Sequence, residues 1–356
     1  MLIHFWLRAS TLIAMCFLTT VANAAFVCED LFVHVQTNST AEYAKALARV
    51  FHHAQVGIWF KRLGESQGSI DIVDSVAQSA VRIEINRAKN HSRKTDWHAL
   101  DVAETKRSIS LLGEHLFWYD KDAVVVEANQ HQTRVIAERN GAPEELLHLI
   151  TPNWTIGLAA HESLHNFEQD SWRSLRWPIA AQNPKHSYDP PARIRLNNEL
   201  IEISHRIESV LSNHFSKPGT QLLPNNAVIQ RIVADVRAIL LRERASWNDL
   251  RVVAIRESTA SFVEMMAIAA ARGQALLEAT NEGTFIATAY SVRKQKLNFE
   301  RKTRVNESSI YIGYGFGADL LFLASARGIS QRQLAETFER SPDPFGDILD
   351  IIVSAP

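Results

Sequence analysis

The sequence contains little cysteine, no excess of either charge and no apolar run long enough to cross a membrane. Cys16 and Cys28 are the only cysteines among 356 residues, so a disulfide framework is excluded as the source of stability. Lysine and arginine number 38 against 39 aspartate and glutamate. This balance argues against nucleic acid as a partner, because proteins that bind it carry a basic excess. The remaining composition, 46% hydrophobic and 22% charged, is typical of a globular protein with its own core.

Residues 1–24 have the pattern of a signal peptide. His4 and Arg8 form a short basic start, an apolar segment follows, and Ala22-Asn-Ala24 is a small-x-small cleavage site. An uncleaved anchor is the alternative, but the apolar segment is short for a bilayer span. We therefore expect cleavage after Ala24, no stable membrane insertion of the mature chain, and a secreted or periplasmic location.

Two regions follow the predicted signal. Residues 25–150 carry mixed helical and strand patterns, and residues 151–356 carry mainly helical ones. We therefore predict a helix-rich α+β fold with a small N-terminal sheet, mixed or antiparallel. Strands are expected at 26–36 and 81–85, a hairpin from 122–127 and 133–137, and helices over 40–60, 151–168, 192–215, 227–246 and 250–272.

The segment His-Glu-Ser-Leu-His at 161–165 is the motif with the clearest chemistry. On a helix, His161 and His165 lie one turn apart on the same face, so both imidazoles can reach one zinc ion. Glu162 is offset around the axis and lies beside the metal, where a general base for a zinc-activated water belongs. Two unrelated histidines on an exposed helix are the alternative interpretation. We predict one Zn²⁺ per chain.

A catalytic zinc needs a third protein ligand and one open position. The residues after His165 lack the Gly and the third His of a metzincin, so that class is rejected. The segment 256–264 resembles the Glu-Gly-x-Ala-x-Tyr stretch of bacterial gluzincins, with Ser258 where Gly is usual. This resemblance to gluzincin-type zinc metallopeptidases implies a zincin-like core, Glu257 as third ligand, and Ala260 packed against the motif helix.

Other carboxylates near the motif have different expected roles. Glu264, seven residues after Glu257, is the competing third ligand and otherwise a partner that orients a ligand or a salt-bridge residue at the edge of the core. Glu168 or Asp170 is predicted either to orient a ligand histidine or to lie at a solvated helix end.

The resemblance also implies a hydrogen-bond donor for the oxyanion of the reaction. Tyr311 and Tyr314 lie in a glycine-rich segment like the one that follows the third ligand in related enzymes. Either tyrosine is a candidate for this catalytic role, and packing in a core is the alternative for both.

The sequence thus predicts an exported zinc metallopeptidase with a peptide or protein substrate. A zinc-stabilised binding protein without hydrolytic activity is one alternative, and a metal-dependent amidase acting on cell-wall peptides is another. Residues 25–150 are an inhibitory prosegment, a substrate domain or part of the catalytic sheet. In the last case 122–127 or 133–137 is expected to supply an edge strand that aligns an extended substrate.

Overall fold

The fold is described from a computed structural model of the protein. It describes residues 39–63, 68–87, 93–120, 122–140, 144–147, 150–176, 190–216, 223–224, 226–272, 282–303 and 315–355. The predicted signal peptide at 1–24, the strand predicted at 26–36, and Tyr311 and Tyr314 lie outside these residues.

A five-stranded mixed sheet forms the N-terminal part of the fold. Its strands occur in the spatial order β3-β2-β1-β5-β4, and every neighbouring pair is antiparallel except β1 and β5. The strands are Ser69–Asp74 (β1), Ser79–Arg87 (β2), Arg93–Ala99 (β3), Phe117–Asp120 (β4) and Ala123–Glu127 (β5).

The helices account for most of the remaining described residues. A 3₁₀ turn, Gly57–Trp59, follows the first of them. The helices are Thr40–His52 (α1), Val102–Leu112 (α2), Gln130–Arg139 (α3), Glu144–Leu147 (α4), Pro152–Ser163 (α5), Arg173–Arg176 (α6), Pro190–Phe215 (α7), Ala227–Arg242 (α8), Arg244–Arg272 (α9), Glu282–Thr303 (α10), Gly317–Ala326 (α11), Gln331–Arg340 (α12) and Pro344–Ser354 (α13).

Alternation along the strands places two separate apolar clusters on the two faces of the sheet. Ile70 and Ile72 of β1 belong to the main core, together with residues of α1, α5 and the C-terminal helices. Val73 of β1 and Val125 of β5 point the other way, into a small cluster with Leu112 of α2. The sheet therefore has one face on the helical core that carries the motif helix α5, and one face on α2.

The predicted fold class is confirmed: the protein is helix-rich α+β with a small mixed sheet. The helices predicted at 192–215, 227–246 and 250–272 correspond to α7, α8 and α9. The helix predicted over 40–60 is shorter, because α1 ends at His52 and the chain turns before Gly57. Among the described residues, no helix combines the length and the apolar character that crossing a bilayer requires.

The predicted hairpin of 122–127 with 133–137 is wrong. The first segment is β5, but the second lies inside α3. Asn129 caps this helix, since its side-chain oxygen accepts a hydrogen bond from the backbone N–H of Gln132 at 3.0 Å. Thr133, Ile136 and Ala137 are all buried, and their spacing is that of one helical face.

The prediction of an edge strand from 122–127 or 133–137 is also wrong. β5 lies between β1 and β4 and pairs with both. The edges of the described sheet are β3 and β4. Strand β1, which is distant in sequence, pairs in parallel with β5 on the side that a prediction based on local hairpins leaves unpaired.

Candidate metal centre

The motif helix begins at a defined cap and changes its pitch at the second histidine. The hydroxyl oxygen of Thr151 accepts from the backbone N–H of Trp154 at 3.4 Å, and Pro152 occupies the first turn. Residues Leu164–Glu168 continue the helix as a π turn, followed by a 3₁₀ turn at Gln169–Ser171. Single π turns inside helices are frequent at functional sites, and this one contains His165.

Helix α9 packs closely across α5 because a glycine faces it. A Cβ added at Gly157 would lie 2.7 Å from the side chain of Ile268 and 3.0 Å from Cγ of Glu264. Ala260 is completely buried in the same core. This close approach places two carboxylates of α9, Glu257 and Glu264, against the histidines of α5 and its π turn.

Three side-chain atoms converge on one small volume. The Nε2 atoms of His161 and His165 are 3.0 Å apart. Oε2 of Glu257 lies 3.5 Å from each of these two nitrogens. The three residues form a group that could hold a metal ion. Ligand atoms around a tetrahedral zinc with bonds of about 2.0–2.1 Å are about 3.3 Å apart, so the observed separations fit such an ion.

The other nitrogen of each imidazole faces an acceptor. Nδ1 of His161 lies 3.2 Å from Oε2 of Glu264. Nδ1 of His165 lies 2.7 Å from Oε1 of Gln169. With a metal ion bound, both Nδ1 atoms would donate to these acceptors, and both Nε2 lone pairs would face the volume beside Oε2 of Glu257. Glu264 therefore lies on the far side of His161 from Glu257, in the position of an orienting partner rather than of the third donor.

This convergence of donor atoms favours a positive charge between the three of them. Oε2 of Glu257 is buried and has no hydrogen-bond partner among the described residues. Burial lowers the pKa of His161, but the neighbouring carboxylates of Glu257 and Glu264 outweigh burial and raise this pKa to about 9. Burial raises the pKa of Glu257, and the two facing histidines outweigh it and lower that pKa. The donor set, two imidazoles and one carboxylate, is a common zinc ligand set.

Glu162 lies beside these donors in α5 and is only 5% exposed. Burial raises the pKa of its carboxyl group, and the two histidines oppose that shift. A carboxyl group whose pKa is shifted toward neutrality is suited to taking up and releasing a proton.

Neither Glu168 nor Asp170 is the partner that Nδ1 of His165 contacts. That partner is Gln169, which the sequence did not lead us to expect. Oε1 of Glu168 accepts from the backbone N–H groups of Arg62 and Leu63 at 2.6 and 2.8 Å. Asp170 is exposed, which fits the alternative prediction of a solvated helix end, and its Oδ1 lies 3.5 Å from Nη2 of Arg256. Gln169 follows His165 by four residues, and this spacing is the signal that could have identified it.

The described residues therefore bring together five of the predicted or competing site residues: His161, Glu162, His165, Glu257 and Glu264. The two tyrosines proposed as oxyanion donors, at 311 and 314, lie outside them. Comparison of the chain with protein-family models, with curated proteins and with solved structures gave no match.

Proposed function

We propose that this protein is an exported zinc-dependent metallopeptidase. The observation that carries the proposal is the convergence of Nε2 of His161, Nε2 of His165 and Oε2 of Glu257, with the buried carboxyl group of Glu162 beside them. These three residues would hold one Zn²⁺ per chain. Zinc in such a set acts as a Lewis acid toward a water molecule and a carbonyl group. The resemblance of 161–165 and 256–264 to gluzincins supports the same activity.

Glu162 is the proton carrier in this proposal. Its carboxylate takes a proton from the attacking water as the new C–O bond forms at the scissile carbonyl. It then gives this proton to the leaving amine as the C–N bond breaks. With zinc bound, His161 and His165 would be neutral and would serve only as ligands, with Nδ1 of each facing an acceptor. Tyr311 or Tyr314 remains the predicted donor to the developing oxyanion.

The substrate would be an extended peptide, and β4 is the strand best placed to bind it. Among the described strands, β4 pairs with β5 alone, and none of the others lies on its second edge, where an extended peptide could add as a further strand. Nδ2 of Asn166, the residue after His165, donates to the carbonyl of Ala123 in β5 at 3.4 Å. This contact connects the metal centre to the strand beside β4. Trp118 and Tyr119 of β4 are 41% and 45% exposed and would contact the side chains of the peptide.

Metal content and turnover together test the proposal. We expect about one zinc per wild-type chain after reconstitution and sharply less in Glu257→Ala, with Glu42→Ala in the exposed face of α1 as a matched control. Glu162→Gln is expected to retain zinc and to lose cleavage of a peptide library. Absence of zinc in the wild type would refute the metal centre, and full turnover by Glu162→Gln would refute the mechanism.

The substrate panel separates the peptidase from the two alternatives. Zinc binding without cleavage of any peptide would favour a zinc-stabilised binding protein. Cleavage confined to cell-wall peptides would favour the amidase. Export is tested separately, by N-terminal sequencing of the protein from the periplasm or medium, where a new terminus at Ala25 is expected.

A further inference from the structure

The amide of Gln169 joins the two parts of the chain that carry the metal donors. Gln169 is completely buried. Its Oε1 lies 2.7 Å from Nδ1 of His165, and its Nε2 donates to the carbonyl of Arg256 and to Oγ1 of Thr259, both at 2.8 Å. We propose that Gln169 is a positioning residue, which sets the tautomer of His165 and fixes the turn of α9 that presents Glu257. This inference rests on the metal centre proposed above.

The hydrogen-bond network defines which way the amide of Gln169 points. The carbonyl oxygen of Arg256 can only accept, so it requires the NH₂ group. Oγ1 of Thr259 donates its own proton to the carbonyl of Ile255 at 2.8 Å, so it also accepts from Gln169. With both amide protons used at α9, Oε1 must face His165.

The orientation of the Gln169 amide determines which ring nitrogen of His165 carries the proton in the neutral imidazole. Since Oε1 of Gln169 can only accept, Nδ1 of His165 carries the proton. Nε2 then presents its lone pair to the volume that it shares with His161 and Glu257. A neutral amide achieves this without adding a further negative charge to a site that already contains Glu162, Glu257 and Glu264.

The same amide connects His165 to the third donor. Arg256 directly precedes Glu257, and Thr259 follows it by two residues, so both partners of Nε2 lie in the turn that carries the carboxylate. The 3₁₀ turn that begins at Gln169 comes directly after the π turn of His165. The side chain of Gln169 therefore fixes the distance between His165 and Glu257, the two proposed metal donors that belong to different helical segments.

The test measures zinc affinity by competition with a chromophoric chelator. Loss of such an outer partner typically weakens metal binding about 10–100-fold, and we expect that range for Gln169→Leu. Ser174→Ala is the matched control, because Ser174 is equally buried and donates to the carbonyl of Phe338 at 2.8 Å, away from the donors. We expect this control to bind zinc as the wild type does.

A second readout reports the tautomer directly. In zinc-loaded protein labelled with ¹⁵N-histidine, the Nδ1 proton of His165 is expected as a slowly exchanging resonance, and Gln169→Leu should lose its protection. Gln169→Glu keeps an acceptor for His165 but removes the donor to Arg256 and Thr259. We expect Gln169→Glu to keep the protected resonance and still to bind zinc more weakly than the wild type. This variant tests the proposal if Gln169→Leu does not fold.

The outcomes separate the two proposals. Zinc in the wild type, with affinity in both Gln169 variants within about threefold of it, would overturn the positioning role and leave the metal centre standing. An equal loss in Ser174→Ala would overturn it too, since the effect would then be one of general stability. Absence of zinc in the wild type would overturn both.

Discussion

The backbone of Gly317 lies directly against the side chain of Ser258, the residue that follows Glu257. A Cβ at 317 would lie 1.9 Å from Oγ and 2.5 Å from Cβ of Ser258. Ser258 is completely buried at this contact between α9 and α11. The side chain of Ser258 is therefore accommodated by a glycine in the facing helix.

This contact predicts that Gly317→Ala destabilises the protein. Overpacking of a core typically costs about 1–3 kcal/mol, and urea unfolding would measure the change in the free energy of unfolding. In a Ser258→Gly background the same substitution should cost much less, because the atoms that it meets are gone. An equal cost in both backgrounds would show that the two residues do not interact, and the nearby ring of Phe345 would be the next atom group to test.

The two carboxylates of α9 are predicted to differ in their effect on metal binding. Glu257→Gln should abolish stoichiometric zinc, because it removes the carboxylate oxygen that, alone among the described residues, faces both Nε2 atoms. Glu264→Gln should retain zinc with affinity lowered about 10–100-fold, because Oε2 of Glu264 contacts Nδ1 of His161 and not the Nε2 atom that would hold the metal. Equilibrium dialysis with zinc distinguishes the two. The reverse order of effects would make Glu264 the third ligand.

Some of the site follows from sequence alone, because it depends on local geometry. The spacing of His161 and His165 requires only one helical turn, and the structure places their Nε2 atoms 3.0 Å apart. The role of Gln169 is less evident from the sequence, although its spacing of four residues from His165 is a signal for it. A charged neighbour, Glu168, is the more obvious partner for a histidine, but it is held by the backbone of Arg62 and Leu63, more than one hundred residues away in sequence.

Of the two wrong predictions about the sheet, the hairpin fails for a local reason and the edge strand fails because of long-range pairing. The apolar positions of 133–137 are too few to distinguish a short strand from a helical face, and the cap at Asn129 decided the outcome. Whether β5 lies at an edge depends on β1, which is about fifty residues earlier in the chain and pairs with it in parallel. No local pattern within 122–127 contains that information.

Removal of zinc is predicted to lower the free energy of unfolding by an amount set by the ratio of the free zinc concentration to the dissociation constant of zinc. A ligand that binds only the folded state adds about 2.7 kcal/mol when its free concentration is 100 times its dissociation constant. Urea unfolding of the wild type with and without excess chelator should show a difference of this size. Glu257→Ala should show none, because its metal-free and metal-treated forms are the same species. A chelator effect that persists in the variant would indicate a metal site elsewhere.

The ion pair between Arg293 and Asp319 is predicted to be a strong stability determinant of the helical core. The two side chains are 0% and 1% exposed, and Nε of Arg293 lies 2.9 Å from Oδ1 of Asp319. Removal of one partner from a buried pair leaves an uncompensated charge and costs about 3–5 kcal/mol. Asp319→Ala should show this loss in urea unfolding.

The control for that prediction is an ion pair at the surface. Arg139 and Glu114 are 61% and 84% exposed, with their nitrogen and oxygen 3.4 Å apart. Exposed pairs contribute about 0–1 kcal/mol, so Glu114→Ala should change the free energy of unfolding very little. Helices α10 and α11 carry the buried pair, and α11 also contacts Ser258, the residue that follows Glu257. Asp319→Ala should therefore lower zinc affinity as well, whereas Glu114→Ala should leave it unchanged. Equal stability losses in the two variants would contradict the assignment of the buried pair as a stability determinant.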